Sequence, residues 1–337
     1  MSIQAYLERY LPLIEQELVD ALAADEDLSP YYGMMRYHMG WLDEALQPAR
    51  SPQGKRLRPM LCLLTCEAVG GQIQRALVAA AAIELVHNFS LIHDDIQDGS
   101  PTRRHRPTVW KLWGMAHAIN CGDGMFTKVF LKLGQLPQRG VSLQHALDAQ
   151  QILAATCLEL TEGQYLDMTF ERETDVSLDN YLRMIRKKSA VLIACSTRLG
   201  ALLGGAPLRV IEAYASFGEN LGMAFQVVDD ILGIWGTEGQ TGKSTSTDIL
   251  ARKKSLPIVY ALNSPELRRI YAQDEIEDRD VDRVVAILER ARAREYAEQM
   301  ARQYSERAAR NLEESGTDSR ARQAIGEWTQ SLLSRQS

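Results

Sequence analysis

The chain has 337 residues, 45% of them apolar and 24% charged, values of an ordinary globular protein that exclude a disordered or collagenous chain. With 38 Lys and Arg against 44 Asp and Glu the formal net charge is -6, which excludes a broad electrostatic grip on nucleic acid or anionic lipid. Any polyanionic ligand is left to local clusters of cations.

Apolar residues recur at three- and four-residue spacing along the whole chain, without sustained alternation, so the expected class is all-α. A first helix over 3–24 carries Glu and Asp throughout, which marks neither a secretory signal nor a transit peptide. Helices over 30–47 and 54–69 follow, parted at Ser51-Pro52, and the second is led by GKRLRP, where Lys55, Arg56 and Arg58 cluster. Cys62 and Cys66 could share a helix face, but no His or second Cys pair lies nearby, so they read as core thiols and not as metal ligands. An odd total of five cysteines, several in apolar runs, fits a reducing compartment, and a cytoplasmic location is expected. Beyond Gly70-Gly71 a helix over 73–98 contains ALVAAAAIELV, and a helix so apolar is central, surrounded by others. Glu84 interrupts its apolar run, which falls short of the ~20 uninterrupted residues of a membrane span.

This helix ends in HNFSLIHDDIQDGSPTRRHRP, residues 87–107. Asp94 and Asp98 stand at i and i+4, so their carboxylates face the same way and repel. Two readings fit: a solvated acidic helix end, or an oxygen-only pair that holds magnesium together with substrate phosphates. The apolar body of the helix favours the second, as do Arg103 and Arg104 just beyond a Gly-Ser-Pro turn. Imidazole is a poor magnesium ligand, so His93 reads equally well as a polar neighbour of the carboxylates.

Helices over 107–120, 122–133, 141–170, 178–203 and 207–236 come next. The last contains GMAFQVVDDILGIWG, a second acidic pair, Asp229 and Asp230, and two such helix ends could clamp one diphosphate through divalent ions. In the polar run after it, Gly242-Lys243-Ser244 is not a phosphate-binding loop: Thr237 stands where the required Gly would be, and no apolar strand precedes it. Helices over 253–262, 264–271, 279–313 and 318–333 close the chain. The cations Lys243, Arg252, Lys253 and Lys254, like those of GKRLRP, either form solvated faces or combine with the acidic pairs into a site for two anions, one gripped through metal and one directly. No break is long enough for a linker, so residues 1–337 are expected to form a single all-α domain, a helical bundle around a central apolar cavity.

In their order and spacing GKRLRP, HNFSLIHDDIQD, TRRHRPT, EGQYLDM, MIRKKS, FQVVDDILG and TGKSTSTDILARKKSLP resemble the motifs of the trans-isoprenyl diphosphate synthases, also called polyprenyl synthetases, over about residues 50–262. The resemblance implies an isoprenoid-synthase fold, a homodimer, and magnesium-dependent condensation of isopentenyl diphosphate with an allylic diphosphate, with roughly three magnesium ions engaged. It implies isopentenyl diphosphate on Lys55, Arg58, His87 and Arg104. The allylic diphosphate would be held through magnesium on Asp94, Asp98 and Asp229, with Arg103, Lys188, Phe225, Gln226, Lys243 and Lys253 assisting. Lys188, Ser189 and Gln226 would serve the ionisation step and the path of the allylic cation, Ser189 standing where Thr is common.

The resemblance further makes Phe89, five residues before Asp94, the floor of the chain pocket, with Ser90 too small to stop the product one unit earlier, and so implies geranylgeranyl diphosphate. Helical arithmetic alone does not place Phe89 beside the chain, since five residues rotate it about 140° from Asp94, and ordinary core packing stays open. Departures are Gly233 and Thr237 where Asp is common, His105 for a frequent Gly, and Gly124, Lys128 and Lys132 in the helix after Asn120. Every implied metal ligand is present, so an active synthase is expected, and Gly233→Asp should alter magnesium dependence only modestly. The alternatives are a class I terpene cyclase, which would leave GKRLRP without a role, and a non-catalytic subunit of a heteromeric synthase.

Overall fold

The computed structural model describes residues 2–23, 26–49, 51, 54, 56–173, 175–236, 247–273 and 275–334. Lys55, Thr237 and Lys243 lie outside the described residues. As expected the chain is all-α: α1 (Ile3–Ala21), α2 (Ser29–His38), α3 (Leu57–Ala68) and α4 (Ile73–Gln97) precede a hairpin of β1 (Thr102–Arg103) and β2 (Arg106–Pro107). Then come α5 (Val109–Trp113), α6 (Met115–Leu133), α7 (Leu143–Arg172), α8 (Leu178–Ile185), α9 (Val191–Leu203), α10 (Leu208–Trp235), α11 (Thr247–Leu250), α12 (Leu256–Ala261), α13 (Pro265–Tyr271), α14 (Asp278–Arg290), α15 (Ala293–Glu314) and α16 (Arg320–Ser334).

The chain divides into two compact units, the first made of Met1–Ala154, Ser196–Ile211 and Thr317–Ile325, the second of Ala155–Cys195, Glu212–Gly316 and Gly326–Ser337. In the first, α4 is the central element and packs on α6, α3 and α1. Its run from Ala79 to Ile83 is wholly inaccessible, and the small alanines let the neighbouring helices approach closely. By length and composition α4 could cross a membrane, contrary to the reading in which Glu84 ends its apolar run, yet 78% of that stretch is buried inside the protein. Burial of Glu84 is offset by an ion pair with Arg56. The second unit is built on a core in which Phe170, Tyr181, Met184, Val227 and Ile231 meet, with a second cluster under α13 and α14 around Leu267, Tyr271 and Leu288.

Four boundaries differ from the periodicity, each for a local reason. The helix expected over 30–47 stops at His38: Gly40 turns with φ 86°, and the Asp43 carboxylate accepts hydrogen bonds from the amides of Ala45 and Gln47, a local turn that outcompetes the helical ladder. The break expected near Cys121 falls at Gly114, φ 85°, and α6 runs unbroken through Gly122 and Gly124, whose missing side chains make room for close neighbours: a Cβ would meet His93 Nε2 at 2.1 Å and the Tyr31 hydroxyl at 1.8 Å. The segment 178–203 carries a wider π turn at Arg186–Ala190. Finally, 279–313 is two helices parted at Arg292, φ 56°. The hairpin was not expected: Arg104 and His105 both adopt positive φ, 50° and 63°, as the two central residues of a tight antiparallel turn require.

Candidate active site

In the first unit the GKRLRP segment enters α3 through Arg56, a buried residue whose Nε donates to Glu15 Oε1 at 2.7 Å and whose Nη1 donates to Glu84 Oε1 at 2.8 Å. Arg56 therefore anchors the segment, while Arg58 lies half-buried on the first turn of α3. The hairpin turn brings Arg104 against the same segment, where its Nη2 lies 2.9 Å from the place a Cβ at Gly54 would take; glycine leaves room for the guanidinium. His87, half-buried on α4, faces this group, and burial together with Arg58, Arg104 and Arg103 holds its imidazole well below the usual range, hence neutral. Arg58, His87, Arg103 and Arg104 are thus brought together. His38 belongs with them: burial, Arg103, Arg104 and Arg56 depress it in the same way. Sequence reasoning missed it because a helix continued through residue 47 gives position 38 no distinction.

Each acidic pair divides its labour. Asp95 is buried and its Oδ1 accepts from both Nε and Nη2 of Arg103 at 2.8 Å. Burial pushes its carboxyl up to about 6 against the pull of Arg103. Asp94 is half-buried and Asp98 exposed at the end of α4. In the second unit Asp230 is buried, with Oδ1 accepting from Gln226 Nε2 at 3.0 Å and Oδ2 accepting from the Leu256 amide at 2.7 Å and from the Tyr181 hydroxyl. Burial pushes it up to about 7 against those three donors. Asp229 beside it is exposed. One aspartate of each pair is therefore built into the scaffold and its neighbour turned outward.

The outward carboxylates supply oxygen donors only, which suits a hard divalent cation. Among the described residues no three His, Cys, Asp or Glu side chains form a metal-holding group by themselves. Such a cation would complete its coordination with water and substrate oxygens, the usual habit of magnesium. His93 Nε2 lies 3.2 Å from the Ile119 carbonyl oxygen and 3.7 Å from Asp123 Oδ1, both on α6.

Lys188 and Ser189 sit in the π turn between α8 and α9. Widened turns of this kind re-aim side chains and recur at functional sites. Two glycines make the turn possible: a Cβ at Gly163 would lie 2.3 Å from the Lys188 nitrogen, and one at Gly222 would lie 2.5 Å from the Ala190 Cα. Lys188 pairs with Asp167, and Ser189 Oγ donates to Gln226 Oε1 at 2.5 Å. The chain Ser189, Gln226, Asp230, Tyr181 fixes which way the Gln226 amide points. Phe225 is half-buried on α10, and Lys253 Nζ lies 3.9 Å from Asp248 Oδ1.

Two of the departures prove structural. Lys132 is buried in an ion pair with Glu17 at 2.5 Å, and Lys128 lies over the Tyr32 ring at 4.8 Å. Gly233 is the third: a Cβ there would lie 2.1 Å from Asp248 Oδ2, so a carboxylate from α11 already fills the space beside it. Phe89 is buried and its ring packs 4.8 Å from Phe126, which in turn packs 5.1 Å from Phe130, while Ser90 Oγ donates to the His87 carbonyl.

Residues 39–288 match the polyprenyl synthetase family. The (2E,6E)-farnesyl diphosphate synthase of Mycobacterium tuberculosis is 44% identical over 229 residues, covering 68% of this chain and 62% of that protein, so the match spans under two thirds of that relative's length. The geranylgeranyl diphosphate synthase of the same organism is 40% identical over 278 residues, 81% of this chain and 78% of that protein. The crystal structure of a polyprenyl synthetase from Streptomyces coelicolor A3(2) superposes with a TM-score of 0.90 at 35% identity, covering 98% of this chain and 99% of that one.

Proposed function

Since the chain belongs to the polyprenyl synthetase family, we propose that it is a magnesium-dependent trans-prenyltransferase that condenses isopentenyl diphosphate with an allylic diphosphate, with geranylgeranyl diphosphate as its product. The observation that carries this reading is the cationic cluster of Arg58, His87 and Arg104 in the same unit as the outward carboxylates of Asp94 and Asp98. We read them as two chemically different grips on an anion, and assign Asp229 of the second unit to the grip through metal. A reaction that uses a single diphosphate has no use for the cationic grip.

The cationic cluster, with Lys55, holds isopentenyl diphosphate directly and fixes its double bond for attack. Magnesium, when bound to the outward carboxylates, offsets charge on the departing diphosphate. Arg103, kept in place by Asp95, and Lys188, kept in place by Asp167, supply fixed positive charge where negative charge develops, with Lys243 and Lys253 assisting. The bond from the allylic carbon to oxygen breaks and its electron pair leaves with the diphosphate. The Gln226 carbonyl oxygen, oriented through Asp230 and Ser189, lies with its negative end available to the cation, Phe225 adds an aromatic face, and the apolar walls keep water away. The double bond of isopentenyl diphosphate then forms the new carbon–carbon bond, and the intermediate loses a proton to the released diphosphate. Phe89, backed by Phe126, stops the growing chain.

The test is an incubation of the purified protein alone with labelled isopentenyl diphosphate, dimethylallyl diphosphate and magnesium. Label in a linear prenyl diphosphate is the expected result. A cyclic hydrocarbon formed from the allylic diphosphate alone would instead identify a cyclase, and silence until a second protein is added would identify a subunit; either would overturn the proposal.

A further inference from the structure

His38 ends α2, and its side chain lines one cleft together with Tyr37, Asp95, Arg103, Arg104 and Arg106. The ring approaches the side-chain amide of Asn88 on α4, yet neither His38 Nε2 nor Asn88 Oδ1, both buried, closes a hydrogen bond. Native proteins seldom leave facing buried polar atoms so poorly satisfied unless a ligand completes the network. The charges around the imidazole are almost all positive. Arg56 on α3 and Arg103 and Arg104 on the hairpin face it directly, and His87 on α4 is coupled to it. The carboxylates nearby are already paired, Glu15 and Glu84 with Arg56 and Asp95 with Arg103. A base so placed stays neutral until an anion enters.

We propose that His38 is a direct ligand of the diphosphate held by Arg58, His87 and Arg104, and that its imidazole takes up a solvent proton as that anion arrives. The proposal rests on the reading of this cluster as the isopentenyl diphosphate site. The arriving anion cancels the field of the arginines, the free ring nitrogen gains a proton from water, and the imidazolium then donates one N–H to a diphosphate oxygen and the other to Asn88 Oδ1. No bond of the ligand is broken.

The experiment is titration calorimetry of isopentenyl diphosphate into the whole protein in EDTA near neutral pH, in two buffers of different ionisation enthalpy, which together give the number of protons taken up. Wild-type protein should bind with net proton uptake. His38→Gln should bind roughly tenfold more weakly, the loss of one charge-assisted hydrogen bond, with smaller uptake and an unchanged KM for the allylic diphosphate. A merely structural role would move neither proton uptake nor one KM alone. Equal affinity and equal uptake in His38→Gln would overturn the proposal. Should that variant not fold, ring-nitrogen NMR of the unmutated protein replaces it: among its six histidines the His38 ring must become imidazolium on adding isopentenyl diphosphate, and a His38 ring that stays neutral would overturn the proposal. Arg58→Ala separates the premise from the inference. If it binds as tightly as wild type, the site reading fails and the proposal with it; if it loses binding while His38→Gln does not, His38 alone is misassigned.

Discussion

Two adjacent aspartates look interchangeable in a sequence, yet each pair here splits into one side chain turned into the protein and one turned out. Asp94→Ala or Asp98→Ala should therefore lower turnover by at least ~10², as expected for loss of an anionic metal ligand, while a thermal melt stays near wild type because a repulsive pair is relieved. Asp230→Ala is the contrast. It strips the acceptor from the Tyr181 hydroxyl and the Leu256 amide, so it should cost about 1–3 kcal/mol of stability in addition to its effect on turnover. A melt that ranks Asp94→Ala below Asp230→Ala would contradict the division. Gly233 also reads differently in three dimensions. From the sequence alone, Gly233→Asp should change magnesium dependence only modestly; with Asp248 already 2.1 Å from the new Cβ, it forces two carboxylates together and should destabilise the protein, with Gly233→Asp combined with Asp248→Gly restoring the melt.

The same scale gives a pH dependence. His38 and His87 are depressed below their ordinary 6.5 by burial and by neighbouring arginines. The unfolded chain takes up their protons first as pH falls through about 6.5, so the stability they contribute is present above that pH and lost below it. Asp95 and Asp230, raised to about 6 and about 7, act in the opposite sense over the same range, so the histidine share is read as a difference: the urea midpoint of the wild type should fall relative to that of His38→Gln between about pH 7 and pH 5.5.

At the scale of elements, the π turn at Arg186–Ala190 is the one on which the chemistry leans most. Gly163→Ala drives a methyl into the backbone of Lys188 and should displace the turn, lowering kcat by ~10² through misplacement of Lys188 and Ser189 while the helices remain. A wild-type kcat would show that the turn does not position them. The motif letters EGQYLDM and MIRKKS were legible in the sequence, but the widened turn was not, because apolar spacing reports a helix face and not a single extra residue in the ladder. The hairpin was invisible for a related reason: two-residue strands carry no alternation, and Arg104 and His105 adopt left-handed backbone that their residue types do not announce. On α4 the ring of Phe89 packs on Phe126. Phe89→Ala should lengthen the main product by at least one isoprene unit and Ser90→Phe shorten it, as read by mass spectrometry; an unchanged distribution in both would move the floor to other residues.

At the scale of the whole molecule, the helical class, most helix positions and both acidic motifs follow from spacing, because buried helices must repeat apolar residues every three or four positions. What spacing does not give is which polar residue faces inward. Glu84, Asp95, Lys132 and Asp230 are all buried against partners on other elements, and no local pattern distinguishes them from solvated charges. Large apolar side chains nevertheless remain exposed in the first unit, among them Ile119, Leu131, Leu143 and Leu147 on α6 and α7. They fit the homodimer that the family resemblance implies. Leu131→Glu should shift the protein toward monomer in light scattering, and a monomeric wild type would rule the dimer out.

The central claim is that this chain grips two diphosphates by different means, one through metal and one directly. Calorimetric titration of each substrate, with magnesium and again in EDTA, tests it most directly. The account predicts that isopentenyl diphosphate binds in EDTA nearly as well as with magnesium, whereas a non-reactive allylic diphosphate analogue loses at least ~10² in affinity when the metal is withheld. Equal dependence of both ligands on the metal, or of neither, would contradict it.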